Sequence, residues 1–208
     1  MPNRDLPTPV PIFPELLARA VADRIPHGRR AIGVIDGVDA AGPVDFAGTV
    51  RDLVGASGRR CDVIDLHDYV RPASLRFEYS RTDESTYRTA WFDFAAVERE
   101  VVAPMRPGGR GTFLPRLWDE VADRSARASL VDAAPDHVLL IAGPTALGRI
   151  PDAAVTVHLK ISEATMRRRT PEADAWTVAP LLEFYDEAPT ADVVVRWDHP
   201  DRPAILQA

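Results

Sequence analysis

Three groups of residues in this 208-residue chain have types and spacings suited to chemistry. The first is Gly37-Val-Asp-Ala-Ala-Gly42, a glycine-bounded turn between an apolar run at 31–35 and an apolar-periodic stretch that continues to Val54. Strand, glycine turn and helix form the setting of the phosphate-binding pattern G-x-x-x-x-G-K-[ST], in which the lysine reaches phosphates and the hydroxyl ligates Mg²⁺. Six of the eight positions fit, but Pro43 stands where the lysine belongs and Val44 where the hydroxyl belongs. Proline brings neither charge nor backbone N–H, valine offers a hard cation no oxygen, and Asp45 adds a carboxylate where a helix N-terminus would attract an anion. Asp39 puts a second carboxylate inside the turn. Proline at the first helical position and aspartate in the first turn suit a helix, so the turn is expected to keep its shape while losing its affinity for nucleotide.

The second group is His67-Asp68-Tyr69, at the end of an apolar run over 61–66. Histidine titrates near neutrality, so His67 and Asp68 are candidates for an acid–base pair, the alternative being a polar strand end. The third is Arg167-Arg168-Arg169, on a helix that Ser162 is expected to cap. It reads either as an anion site or as a solvated face. Tyr69, Arg76, Tyr87 and Trp91 are candidates for lining a pocket beside these groups, with Trp118 as a further aromatic; aromatics of this kind also serve as core. His158, inside an apolar strand, reads as a core histidine with its hydrogen bonds satisfied. Neither His67 nor His158 has acids at metal-ligand spacing, so no metal is expected.

The elements that must position these groups alternate. A helix over 14–25 precedes the first strand, and strands follow at 61–66, 138–141, 153–159 and 191–195. Helices are expected over 89–102, 162–169 and 176–186, with a loop and short helix over 75–87. Residues 112–118 and 126–131 form a small antiparallel pair in this reading. Mostly apolar strands separated by helices indicate a parallel sheet covered on both faces. The length fits one domain over 1–208, its proline-rich first 13 residues forming a surface arm. A net charge of −6 argues against a nucleic-acid partner. The single Cys61 excludes an internal disulfide and fits a reducing cytoplasm, and no apolar run is long enough to span a membrane.

In order and spacing the chain resembles the uridine kinase-like branch of the P-loop kinases, over nearly its whole length. That family's loop reads roughly IDGVDAAGKTTFA, against IDGVDAAGPVDFA here. Its L-D-D-F-H-R-P compares with Leu66-His-Asp-Tyr-Val-Arg-Pro72, its F-D-Y with Phe92-Asp-Phe94, its P-L-G-P-G-G with Pro104-Met-Arg-Pro-Gly-Gly109, and its A-D-V-V-V is present at 191–195. The resemblance implies a parallel α/β sheet with helices on both faces and a short lid helix carrying Arg167–Arg169, whose arginines close over phosphates in the family. It also implies that His67 occupies the position of the acid that accepts the nucleoside hydroxyl proton. Ala142 occupies that of the acid before glycine which serves Mg²⁺.

Four departures thus fall in one constellation: Pro43, Val44, His67 and Ala142. Phosphoryl transfer depends almost wholly on positioning and charge, so their joint loss is expected to leave little ATP chemistry. The expectation is a kinase-like chain with a degenerate phosphate loop that binds a small molecule, nucleoside-like in character, or a partner protein, with no resident cofactor. Two alternatives stand beside it: an atypical active kinase, for which ATP and Mg²⁺ would be cofactors, and a different enzyme using His67 and Asp68. Assembly as a homo-oligomer is left open.

Overall fold

A computed structural model describes residues 9–207. Two six-residue strands are buried at every position: β1 (Ala31–Asp36, AIGVID) and, later in the chain, its neighbour Val138–Gly143 (VLLIAG). A strand of apolar residues without alternation must be covered on both faces, which places these two at the centre of the sheet. With β2 (Cys61–Asp65), β3 (Val138–Gly143), β4 (Val155–Lys160), β5 (Val193–Arg196) and β6 (Ala204–Gln207), the order across the sheet is β2-β3-β1-β4-β5-β6, and the short strand Val10–Pro11 completes the far edge. Strands β1 to β5 are all mutually parallel, while β6 and Val10–Pro11 add antiparallel pairs.

The parallel register decides where chemistry can occur. Asp36 lies opposite Gly143 on one side and His158 on the other, and Asp65 lies opposite Ala142. The carboxyl ends of β1, β2, β3 and β4 therefore open on one edge, where parallel α/β sheets place their ligands. Helices α1 (Pro14–Arg24) and α2 (Pro43–Ala56) pack together, with α2 lying along β2 and β3. The lid segment follows β4: α4 (Glu163–Arg169) and a 3₁₀ stretch Glu172–Thr177, leading into α5 (Val178–Glu187). Helix α5 also packs on α3 (Glu84–Ala90).

Several expectations need correction. The helix expected over 89–102 is interrupted, because Arg71 N–H donates to Trp91 O, Asp93 N–H donates to Tyr69 O, and the Asp93 carboxylate caps a new helix by accepting from Ala96 N. That helix, Phe94–Val97, runs on through a π-helical turn, Glu98–Val102. The expected pairing of 112–118 with 126–131 is two separate ladders, Thr112–Phe113 with Val131–Asp132 and Trp118–Asp119 with Arg124–Ser125. Strand β6 was not foreseen. The first eight residues of the expected arm lie outside the described residues; Val10 and Pro11 pair with Ile205 and Ala204 as an edge strand. Among the described residues no helix is long and apolar enough to cross a membrane.

The centre of the sheet carries much of the stability. Leu140, with no exposed surface, sits in β3 between β1 and β2. Leu140→Ala is expected to lower unfolding free energy by about 3 kcal/mol, the sum of lost transfer and a residual cavity, as read from the midpoint of urea unfolding at unchanged slope.

Candidate functional site

The turn after β1 begins with close packing. A Cβ on Gly37 would stand 3.3 Å from the carbonyl oxygen and 3.2 Å from the Cβ of Leu159 on β4. Residues Asp39–Ala41 then make one 3₁₀ turn, and Gly42 takes a left-handed conformation (φ 68°, ψ 48°) that redirects the chain into α2. The left-handed turn thus favours glycine at Gly42, and a side chain at Gly37 would press on Leu159. Two of the turn's carbonyls are held by side chains: Trp197 Nε1 donates to Ala41 O at 2.8 Å, and Arg169 reaches Ala40 O at 3.4 Å. Strand, turn and helix follow one another here in the expected order.

The loop carries no lysine and no hydroxyl, and several of its amides are bonded within the protein. Gly37 N–H is taken by Gly143 O, Ala41 N–H by Val38 O and Gly42 N–H by Asp39 O, and Pro43 has none to give. Pro43 is buried and Val44 packs against the core. Ala142 is fully buried at the end of β3 with no oxygen on its side chain. Among the described residues no three His, Cys, Asp or Glu side chains are grouped to hold a metal ion.

Across the cleft, β2 ends in a 3₁₀ turn, Leu66–Tyr69, started by the Asp65 carboxylate accepting from His67 N at 2.9 Å. This turn sends the adjacent His67 and Asp68 different ways. The His67 ring bonds Asp39 of the loop through Nε2 (3.1 Å) and Glu120 through Nδ1 (2.6 Å), and packs edge-on against Phe92. Asp68 is paired with Arg116 at 2.6 Å. The expected His67–Asp68 acid–base pair is therefore not formed. Burial alone would discharge the imidazole, but its hydrogen bonds to Asp39 and Glu120 outweigh that and raise its pKa to about 11. His67 is an imidazolium at neutral pH, with neither nitrogen free to accept a proton.

Glu120 is anchored from behind by Arg76, whose Nη1 donates to it at 2.6 Å and whose guanidinium lies over the Trp91 ring. Arg76 is buried and its Nε donates to Arg71 O, so it supports the site from outside it. Tyr69, expected in the pocket, is fully buried with its hydroxyl donating to Leu114 O. Trp118 faces Asp123 with its indole N–H. Tyr87 and Trp91 do line a cavity of about 310 Å³ enclosed by the loop, His67, Glu120 and the lid segment, where Asp174 and Trp176 complete the wall. Glu120, Asp174 and Trp176 gave no signal in the sequence. Glu120 lies in the turn joining the Trp118–Asp119 and Arg124–Ser125 strands, and Asp174 and Trp176 in a 3₁₀ stretch; only the fold brings them to the cleft.

The lid arginines divide. Arg167 pairs with Glu163 on the same helix, Arg168 donates to Thr165 Oγ1, and Arg169 is spent on the carbonyls of Ala40 and Asp198. Beneath the loop, His158 is satisfied as expected: Nδ1 bonds the fully buried Asp36 carboxylate at 2.7 Å, and Asp36 also accepts from Ala146 N at 2.8 Å.

No protein-family model matches the chain, and no curated protein matches it in sequence. Solved structures match in fold. A protein provisionally assigned as a fructose transport system kinase, from Silicibacter sp. TM1040, superposes with a TM-score of 0.68 at 15% identity, over 88% of this chain and 98% of that one. A provisional uridine kinase from Bacillus stearothermophilus superposes with a TM-score of 0.63 at 16% identity, over 87% and 96%. The chain has the P-loop kinase-like fold, a mostly parallel α/β sheet with helices on both faces.

Two outcomes follow from this geometry. Gly42→Ala, which forces a side chain into the left-handed region, is expected to cost about 1–2 kcal/mol in urea unfolding. The second concerns pH. Folded His67 keeps its proton up to about pH 11, whereas in the unfolded chain it loses it near pH 6.5. The folded state therefore binds more protons above pH 6.5, and stability falls as pH rises. Water reaches 34% of the side chain, so the expected loss between pH 6.5 and 8.5 is only about 1 kcal/mol. His67→Gln should flatten that slope; an unchanged slope would show that His67 is not held as a cation.

Proposed function

We propose that this chain is a kinase-fold protein whose ATP-dependent phosphoryl transfer has been dismantled, and which binds a small molecule of nucleoside-like size in the former acceptor cavity. The observation that carries this reading is the chain Asp39–His67–Glu120. In a working kinase of this fold the loop would offer a cation toward the phosphates, and the end of β2 would offer a base to the acceptor. Here the loop offers a carboxylate and the end of β2 an imidazolium, and the two are bonded to each other at 3.1 Å. The polarity of the reaction site is inverted. A triphosphate entering the loop would meet Asp39 and Asp45, while the one cation beside them, His67, is already shared between Asp39 and Glu120 and Arg169 is committed to carbonyls. One helix dipole, worth about 0.3–1 kcal/mol, does not offset several phosphate charges against two carboxylates.

The cavity persists beside this altered loop, with aromatic walls and polar groups at its mouth, in the size range of small-molecule sites. The test is calorimetric titration at low salt, where screening least disfavours ATP. Mg²⁺–ATP is expected to bind more weakly than about 1 mM, a free energy smaller in magnitude than about 4 kcal/mol, while a nucleoside such as uridine or cytidine binds without ATP. A low-micromolar dissociation constant for Mg²⁺–ATP would refute the reading in favour of an active kinase. The double variant Pro43→Lys with Val44→Thr is expected to bind ATP measurably but to phosphorylate no nucleoside, because Asp39 stays in the loop, His67 stays protonated and Ala142 supplies no carboxylate. Robust turnover by that variant, measured by coupled ADP release, would show that the other sites matter less than argued.

A further inference from the structure

We propose that this protein has a second small-molecule site, away from the loop cavity, which takes an uncharged, mostly apolar molecule through one hydroxyl group bound to His158: a phenol or an aryl alcohol. The site is a cavity of about 310 Å³ between helix α5 and the face that β4, β5 and β6 turn toward it. Among the described residues, Val38 alone lines both this cavity and the one at the loop. The inference goes beyond the function proposed above and does not depend on it.

Strand β4 alternates: Val155, Val157 and Leu159 are buried on one face, so His158 and Lys160 belong to the other. The parallel register sets His158 between Asp36 on β1 and Val194 on β5. Asp36 satisfies one of its two nitrogens, Nδ1, at 2.7 Å, and the Tyr185 ring packs on the imidazole with centroids 4.6 Å apart. An ionised carboxylate only accepts, so Nδ1 carries a proton and the bond fixes how the ring points. The two nitrogens of an imidazole point away from each other, which turns Nε2 from Asp36 toward the cavity that His158 lines. His158 is only 9% exposed, and its Nε2 has no hydrogen-bond partner among the described residues. Nor is the nitrogen sealed in, as the indole nitrogen of Trp91 is: the His158 side chain keeps 11% of its surface open.

The remaining walls set the class of ligand. Leu147, Met166, Leu182, Val194 and Leu206 make them largely apolar. Lys160 and Asp186, the other charged side chains of the lining, are exposed and opposite in sign, so together they select neither a cation nor an anion. A polar atom at the wall of an apolar cavity costs free energy unless it is paired. A hydroxyl both donates and accepts, so it pairs with Nε2 whichever charge the ring carries. The volume lies at the lower end of the range of small-molecule sites, which suits a body of one or two rings.

Matched probes isolate the hydroxyl: p-cresol against 4-methylanisole, and benzyl alcohol against benzyl methyl ether, with benzoate and benzylamine as charged counterparts. In calorimetric titrations of the full chain at pH 7, each hydroxyl compound is expected to bind roughly fivefold more tightly than its ether, as one net hydrogen bond allows, and more tightly than either ion. In nitrogen NMR the His158 Nε2 resonance should shift on titration with p-cresol while Nδ1 stays. Asparagine presents an amide N–H near the place of Nδ1 and nothing at that of Nε2, so His158→Asn should abolish the preference and leave the ether's affinity unchanged. Val194→Trp, which fills the cavity from a half-buried position on β5 and leaves the Asp36 bond intact, should abolish binding of all the probes; it decides the matter should His158→Asn not fold. Hydroxyl compounds and ethers binding alike, a preference that survives His158→Asn, or binding that survives Val194→Trp would each overturn the inference and leave the function proposed for the loop cavity standing. No heat and no Nε2 shift at probe concentrations of about 10 mM, where even millimolar affinity saturates, would overturn it as well.

Discussion

A carboxylate with no exposed surface, Asp36, ends the central strand, and the region above it depends on how that charge is met. One oxygen accepts from Ala146 N in the turn after β3, and the other bonds His158 on β4. Removing one partner from a buried pair commonly costs about 3–5 kcal/mol, so the pairing holds the ends of β1, β3 and β4 in one arrangement. Everything at the cleft is built on that edge. The loop leaves β1 one residue later, tight against Leu159, and the lid helix leaves β4 a few residues beyond His158.

The loop shows that shape and chemistry can be separated. The glycines answer to the backbone: one to a close approach, the other to a left-handed turn. The residues after the second glycine answer to packing, and part of the loop's amides to its own turn. Pro43 is buried, Val44 packs on the core, and three loop amides bond within the protein. Trp197, against Phe46 at 5.2 Å, donates its indole N–H to the Ala41 carbonyl in a buried hydrogen bond that fixes the turn. A loop of this kind needs no bound anion to hold its form.

The bridge from Asp39 through His67 to Glu120 and Arg76 is the electrostatic counterpart. Acids and cations alternate along it, so each charge has an opposite neighbour, and it spans from the loop to the β-ladders after residue 112. It ties the loop after β1 to the end of β2 and to the turn that carries Glu120. The imidazole sits between two carboxylates, beside the aromatic rings of Tyr87, Trp91 and Trp176 that line the cleft.

Much of the frame was legible from the chain alone. Continuous apolar runs at 31–35 and 138–141, a proline at the start of α2 and a serine before α4 are local signals with local physical causes, and the elements they announce formed. That Pro43 and Val44 stand where the pattern has a lysine and a hydroxyl was equally plain, because the pattern fixes those two positions. What the sequence did not determine is which charges meet. His67 and Asp68 are neighbours in the chain, yet a 3₁₀ turn directs one to the loop and the other to Arg116. Glu120 is 53 residues from the ring it holds, and Asp39 is 28. Pairings at such separations carry no periodicity or spacing that can be read along a chain. They arise only when the parallel sheet brings its strand ends to one edge, and it was there that the tertiary structure decided the protonation of His67.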